Sequence, residues 1–291
     1  YLTTQGGAAA PETAAAYFRL AAFKDFMPAQ NELARFYEEG LAGVPKNATE
    51  GLFWRMLAAR GGSAEAQQMV QEAFSQNPAV YAQAFQIFTA YQQARIGSGT
   101  GALAFASQLE KGGALNEDEE EAVKWLAVAA ERNIPAAQAR LGLKYAQGVG
   151  VAQDENKAFS LLASAAQAGE PLAQLYWGRR AYTQSAAEGG PDYAEAFKWF
   201  MNAADKGNTE AQYLTGVMYM QGQGTEKSVS KALQAFSRAA EGGHASAQYV
   251  VGQSYYKGLG IRRNISEARK WLTKAAANGN QAAKDLLEEI K

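Results

Sequence analysis

The sequence predicts an all-α solenoid, a chain of about seven stacked two-helix repeats with a capping helix at each end. Three observations carry this. Alanine supplies about one residue in five while Pro numbers only 7, a balance that favours helix. Small and apolar letters recur at helical spacing. A pattern of those letters also copies itself about every 36 positions along the chain. With 47% hydrophobic residues in 291, a sizeable core can be buried. Length alone would suggest two domains, but the repeat argues for a single quasi-one-dimensional domain over 1–291.

The copies are explicit. Ala247-Gln248-Tyr249 opens a run to Gly258, and Ala211-Gln212-Tyr213 opens its counterpart, with Gly216, Tyr219 and Gly222 in register. Earlier copies begin at Ala173-Gln174, Ala137-Gln138 and Ala29-Gln30. Between them lies a second pattern: Ala268, Trp271, Ala275-Ala276, Gly279; then Ala232, Ala239-Ala240, Gly243; then Ala196, Trp199, Ala203-Ala204, Gly207. It recurs at Ala158, Leu161, Ala165-Ala166, Gly169, at Ala122, Trp125, Ala129-Ala130, and at Gly51, Trp54, Ala58-Ala59, Gly62. Both spacings mark one helix face, so each repeat is a pair of antiparallel helices, A and B. Small letters fall where the helices approach, and Leu, Trp and Tyr fill the remaining space.

In order, a lone B-type helix over 10–26 precedes the repeats. Repeats begin near Ala29, Ala66, Gly101, Ala137, Ala173, Ala211 and Ala247. The first two span 27–96 and the other five 101–279, and a C-terminal capping helix covers 281–291. Gly148, Gly222 and Gly258 end A helices, while Asp118 and Asp154 sit where B helices need an N-cap. The second repeat shrinks its loop to Asn77-Pro78 and has an irregular second helix. The fifth has a longer loop, 184–192, and the glycine-rich stretch 97–101 reads as a hinge.

Read as one motif over 137–169, A-Q-x-x-L-G-x-x-Y-x-x-G-x-G-V, an Asp, then K-A-x-x-x-L-x-x-A-A-x-x-G, the chain resembles the Sel-one-like repeat (SLR) family. This is a relative of the tetratricopeptide repeat with a slightly longer unit. The resemblance covers nearly the whole chain. It implies a right-handed superhelix with A helices on its inner, concave face.

Little in the chain suggests chemistry. Cys is absent and His occurs once, which removes thiolate nucleophiles and multi-histidine metal sites. His244, at a helix junction, has no recurring Ser or Asp partner. The acidic run Glu117 to Glu121 reads as the solvated start of a helix rather than a divalent-metal site. Glycine loops such as Gly222-Gln223-Gly224 follow helices, so they are turns, not phosphate cradles. Asn47 and Asn264 lie in glycosylation sequons, a short pattern that arises by chance. The net charge of −1 argues against nucleic acid. The uncharged run 73–94 contains Asn77-Pro78 and several Gln, so no transmembrane segment is expected. No catalytic residue, metal or cofactor is assigned.

Function must then lie on faces the repeat leaves free. The recurrent Gln after each A-helix Ala reads as structural, its amide bonding an inter-helix loop. Counting that Ala as position 0, the free side of helix A carries positions +3 and +6. In the first repeat these are Glu32 and Arg35. Later repeats offer Arg140, Leu143, Tyr176, Arg179, Leu214, Val217, Val250 and Gln253. Apolar and aromatic letters with interspersed Arg suit a protein-binding groove. A second surface is basic: Lys257, Arg262, Arg263, Arg269, Lys270 and Lys274.

The expectation is a non-enzymatic interaction scaffold or adaptor that holds another protein or a peptide segment on the concave face. The resemblance implies roles in envelope assembly, polysaccharide secretion or signalling, and a periplasmic or otherwise exported location, with the cytoplasm as the other option. The chain opens on Tyr1 rather than Met, which fits either a removed leader or a trimmed end. The alternative partner is a peptidoglycan or other glycan stacked on Tyr182, Tyr256 or Trp177.

Overall fold

The structure is a computed structural model and describes residues 11–41, 43–184 and 188–290. Among these residues the regular structure is helical, in sixteen helices. A first helix, α1 (Pro11–Ala22), precedes seven hairpins. They are α2 (Met27–Glu39) with α3 (Ala48–Arg60), α4 (Ala64–Gln76) with α5 (Pro78–Arg95), α6 (Gly99–Lys111) with α7 (Glu119–Glu131), and α8 (Pro135–Gln147) with α9 (Glu155–Gln167). Then follow α10 (Pro171–Thr183) with α11 (Tyr193–Asp205), α12 (Thr209–Gln221) with α13 (Val229–Glu241), and α14 (Ala245–Lys257) with α15 (Ile265–Ala277). A last helix, α16 (Gln281–Glu289), packs on α15. The predicted helix over 10–26 ends earlier, because Asp25 takes a left-handed φ of 62° and Phe26 already serves as the N-cap residue of α2. Residues 185–187 of the long fifth loop lie outside the described residues.

The chain divides into two compact units, one formed by residues up to 137 with 144–155, the other by 138–143 with 156–291. In the second unit, each A helix meets its B helix at a glycine five residues after the buried Ala. A Cβ on Gly142, Gly178, Gly216 or Gly252 would come within 2.7, 2.5, 2.6 or 2.8 Å of Leu162, Phe200, Phe236 or Leu272. Small residues are required there because the facing B helix presents a large one. Ala137, Ala173, Ala211 and Ala247 are fully buried.

The recurrent Gln is structural, but its partner is not a loop. Nε2 of Gln30, Gln67, Gln174, Gln212 and Gln248 donates to the carbonyl eight residues earlier, on Ala22, Ala59, Ala166, Ala204 and Ala240. Each acceptor is in the last turn of the preceding helix, whose terminal carbonyls have no partner within that helix. The Ala-Ala pair of each B helix and the Gln of the next A helix are thus two halves of one contact. N-caps also repeat: Asn47, Asp118, Asp192 and Asn264 each accept from the backbone N–H of a Glu three residues on. At three of these helices the same Glu accepts from the indole of Trp54, Trp125 or Trp199. At the predicted helix ends, Gly148, Gly222 and Gly258 take left-handed φ near 70–74°.

The first unit is less regular. Asn77 alone joins α4 to α5, and its side chain caps α5. The predicted irregular helix is a single run of 18 residues. It packs against α3 and α6 more than against its own hairpin partner. Ala66 is the sole fully buried residue of α4. Gly101 of α6 lies so close to α5 that a Cβ would approach Gln93 Cβ to 2.6 Å. The core here is one merged aromatic cluster of Phe23, Phe53, Trp54, Tyr91, Phe105 and Trp125.

Beside it sits a buried ionic group. Arg19 pairs with Glu50 at 3.3 Å and Asp118 at 2.9 Å, and donates to Tyr37 Oη at 2.8 Å. Glu50, fully buried, also accepts from the Asn116 backbone N–H at 2.6 Å. Burial pushes the Glu50 carboxyl above its ordinary range, with Arg19 and the hydrogen bonds opposing. Burial likewise raises the Tyr37 hydroxyl, reinforced by Glu50.

Candidate interaction surface

The eight predicted surface residues all belong to the second unit. Arg140 and Leu143 are on α8, Tyr176 and Arg179 on α10, Leu214 and Val217 on α12, and Val250 and Gln253 on α14. Arg179 is exposed and the others are half-buried. Burial lowers the Arg140 guanidinium from its ordinary value.

These residues divide into two kinds. Leu214 packs on the cluster of Ala181, Ala196, Phe200 and Met218, while Val217 and Val250 pack on the cluster around Phe236 and Val251. They are ledges of the core with one side open. Tyr176 meets Trp177 edge to face at 5.8 Å, and Gln253 Nε2 donates to Tyr249 Oη at 3.0 Å. Arg179 reaches from α10 to Glu210 on α12 at 2.8 Å. Glu210 in turn lies 2.9 Å from His244 Nε2, so a polar chain runs from α10 through α12 to the N-cap of α14. His244 Nδ1 accepts from the Ala247 backbone N–H, and its ring stacks on Tyr213 at 4.5 Å. Burial, then Glu210, raises the Tyr213 hydroxyl. Sequence reasoning missed Glu210, which precedes position 0 and lay outside the positions scanned. It had placed His244 correctly as a junction residue.

Charges elsewhere are more engaged than the sequence implied. In the acidic run, Asp118 caps α7 and pairs with Arg19, Glu119 pairs with Lys144, and Glu121 is buried, accepting from Lys124 and Trp125. The solvated reading therefore fails for these three, because each carboxylate has a cation beside it: Arg19, Lys144 and Lys124 in turn. In the basic group, Arg269 donates to the Ile290 carbonyl, Lys270 pairs with Glu267, and Lys274 lies 4.5 Å from the Trp271 ring. The three aromatics considered for sugars are tied in as well. Tyr182 donates to Gln223 and packs on Tyr193, Tyr256 carries Arg263, and Trp177 meets Phe159 at 4.7 Å. Asn47 and Asn264 of the sequons are helix caps. Among the described residues, no helix is long and apolar enough to cross a membrane.

Comparison with known proteins agrees with this geometry. The Sel1 repeat family model matches residues 28–63, 102–134, 135–170, 171–208, 209–244 and 245–280, and passes over the irregular second hairpin. A Sel1 repeat protein from Oxalobacter formigenes is similar in structure, with a TM-score of 0.66 and 28% identity, covering 100% of this chain and 83% of that one. A protective antigen of uropathogenic Escherichia coli with an SLR fold has a TM-score of 0.46 and 25% identity, over 95% of this chain and 67% of that one. No curated protein matches significantly. Sel1 repeat proteins are generally protein-interaction scaffolds, and their fold is typically non-catalytic. By the extent of the family match, and by hairpins whose Ala, Gln and Gly contacts recur in register, this chain belongs to the Sel1 repeat family.

Proposed function

We propose that this chain is a non-enzymatic scaffold that receives a protein or peptide segment on the A-helix side of its second unit. One observation carries the reading. The +3 and +6 residues of α8, α10, α12 and α14 keep part of their surface accessible while their neighbours at 0, +1 and +5 are buried. Tyr176, Leu214, Val217 and Val250 offer apolar area, and Arg140 and Arg179 offer charge. That mixture suits partner recognition. Export to the bacterial envelope or beyond, the single-domain organisation and a hinge at 97–101 remain parts of this proposal, carried from the family resemblance and the glycine run.

Leu214 is half-embedded in the core, so the test uses surface atoms. A photo-cross-linking residue at Arg179, in the full chain inside its native host, should give a discrete protein adduct. The same residue at Ser160, on a B helix, should not. Adding Gln253→Glu and replacing Arg140 by Glu should remove the adduct while circular dichroism stays helical. Equal labelling from both positions, or an adduct indifferent to those charges, would contradict the proposal.

A further inference from the structure

Two positions bring large residues together where the A and B helices of a repeat meet. One is A-helix position +4, held by Leu33, Phe105, Leu141, Trp177 and Val251 in other repeats. The second is a B-helix position held by Trp54, Trp125, Leu161, Trp199 and Trp271. In the third repeat they meet directly: Trp125 lies edge to face on Phe105 at 5.6 Å. In the seventh, Trp271 packs on the cluster that contains Val251.

The sixth repeat breaks both rules together. Position +4 is Thr215 and the B-helix position is Ala235. A cavity of about 290 Å³ opens there, between α11 and α13 over α12. Ligand pockets run from about 300 to 1,000 Å³, so this one suits a single ring. Met201, Ala204, Tyr219 and Ala235 give its walls an apolar part, and Gln212 and Gln234 a neutral polar one. Thr215, 2% exposed, lines it, and the Thr215 hydroxyl is buried with no hydrogen-bond partner. Such a group costs stability unless something bonds it. Lys231 and Arg238 line the cavity too, with Asp205 as the one acidic group. Lys231 Nζ stands 5.5 Å from the Tyr219 ring.

The geometry points to a binding socket in the sixth repeat for a small aromatic carboxylate. The ring lies among Met201, Ala204, Tyr219 and Ala235, a polar tip bonds Thr215, and the carboxylate faces Lys231 and Arg238. This site is independent of the partner surface on the A-helix side.

The probe is 4-hydroxyphenylacetate, titrated into the full chain and followed by amide NMR. Saturable shifts are expected at Thr215, Tyr219 and Ala235, with a dissociation constant on the order of 1 mM, as for a fragment-sized ligand. Phenylacetate, which lacks the hydroxyl, and 4-methylphenol, which lacks the carboxylate, should each bind about tenfold more weakly. Ala235→Trp restores the residue found at this position in four other repeats, so it should fold with an equal or higher midpoint of thermal unfolding and lose the binding. Should that variant misfold, Thr215→Val and Lys231→Gln should each weaken binding about tenfold. No saturable shift up to about 10 mM, or unchanged affinity in a folded Ala235→Trp, would overturn the assignment. So would binding of acetyl-Glu-Tyr-Glu-amide with the free acid silent, which would make the socket a contact for a partner's side chain.

Discussion

The two compact units are made from the same repeat but held together differently. In the second unit each hairpin sets a Gly under a large B-helix residue five positions after a buried Ala, and three of them send a Gln back to the previous helix. Its apolar clusters are small and local, such as Ala181, Ala196, Phe200 and Met218. In the first unit six aromatic rings, Phe23 from the turn after α1 and the others from α3, α5, α6 and α7, merge into one core. An ionic group there ties Arg19 to Asp118, residues far apart in sequence. The difference shows what a degenerate repeat does. Once α4 loses its core letters, the neighbouring hairpins must be joined by non-local contacts instead. The second unit should therefore behave as a sum of repeats and the first as a cooperative globule.

The largest effect should come from that ionic group. Glu50→Ala leaves Arg19 buried without one of its carboxylates, and breaking a buried pair costs about 3–5 kcal/mol. Chemical denaturation should show it, with Glu50→Gln much milder because the amide still accepts from Asn116. A cost under about 1 kcal/mol for Glu50→Ala would mean the group is dispensable and the comparison overdrawn.

Next come the glycine contacts. Gly216→Ala places a methyl against Phe236, an overpacking cost of about 1–3 kcal/mol. Gly142→Ala should cost the same against Leu162, and the pair should add, since the fourth and sixth repeats are separated by the fifth. Strong non-additivity would show that the second unit is not modular.

Smaller still is the loss of one Gln. Gln212→Ala and Gln248→Ala each remove a bond to a helix-end carbonyl, about 1 kcal/mol apiece. Similar values across repeats are expected from melting curves, and widely scattered values would deny the contact its shared role. Arg179→Glu, at an exposed pair, should change stability by well under 1 kcal/mol.

How much of this was legible in the sequence follows the same division. Repetition made the hairpins, the closing glycines and the structural role of Gln readable, because each copy confirmed the others. The Gln acceptor was misplaced, since sequence gives a residue's position but not its reach: eight residues back lies the previous helix, not a loop. Arg19, Glu50 and Asp118 left no local signal, because nothing short-range links residues so far apart. Glu121 is different: it accepts from Lys124 and Trp125, three and four residues on, a local signal that the run of like charges around it masks. Thr215 and Ala235 were visible as the smallest letters in their columns, yet only their shared cavity gives them meaning. Of the eight +3 and +6 residues Arg179 alone is exposed, and the core grip on Leu214 and Val217 required the packing itself.

The most direct test removes one whole repeat, residues 211–246, from the full chain. Glu210 then joins Ala247 in phase, and each side keeps its own hairpin contacts. Helical signal should fall only in proportion to the residues removed, and unfolding should stay cooperative. Collapse of the helical signal would contradict a unit built as a sum of repeats.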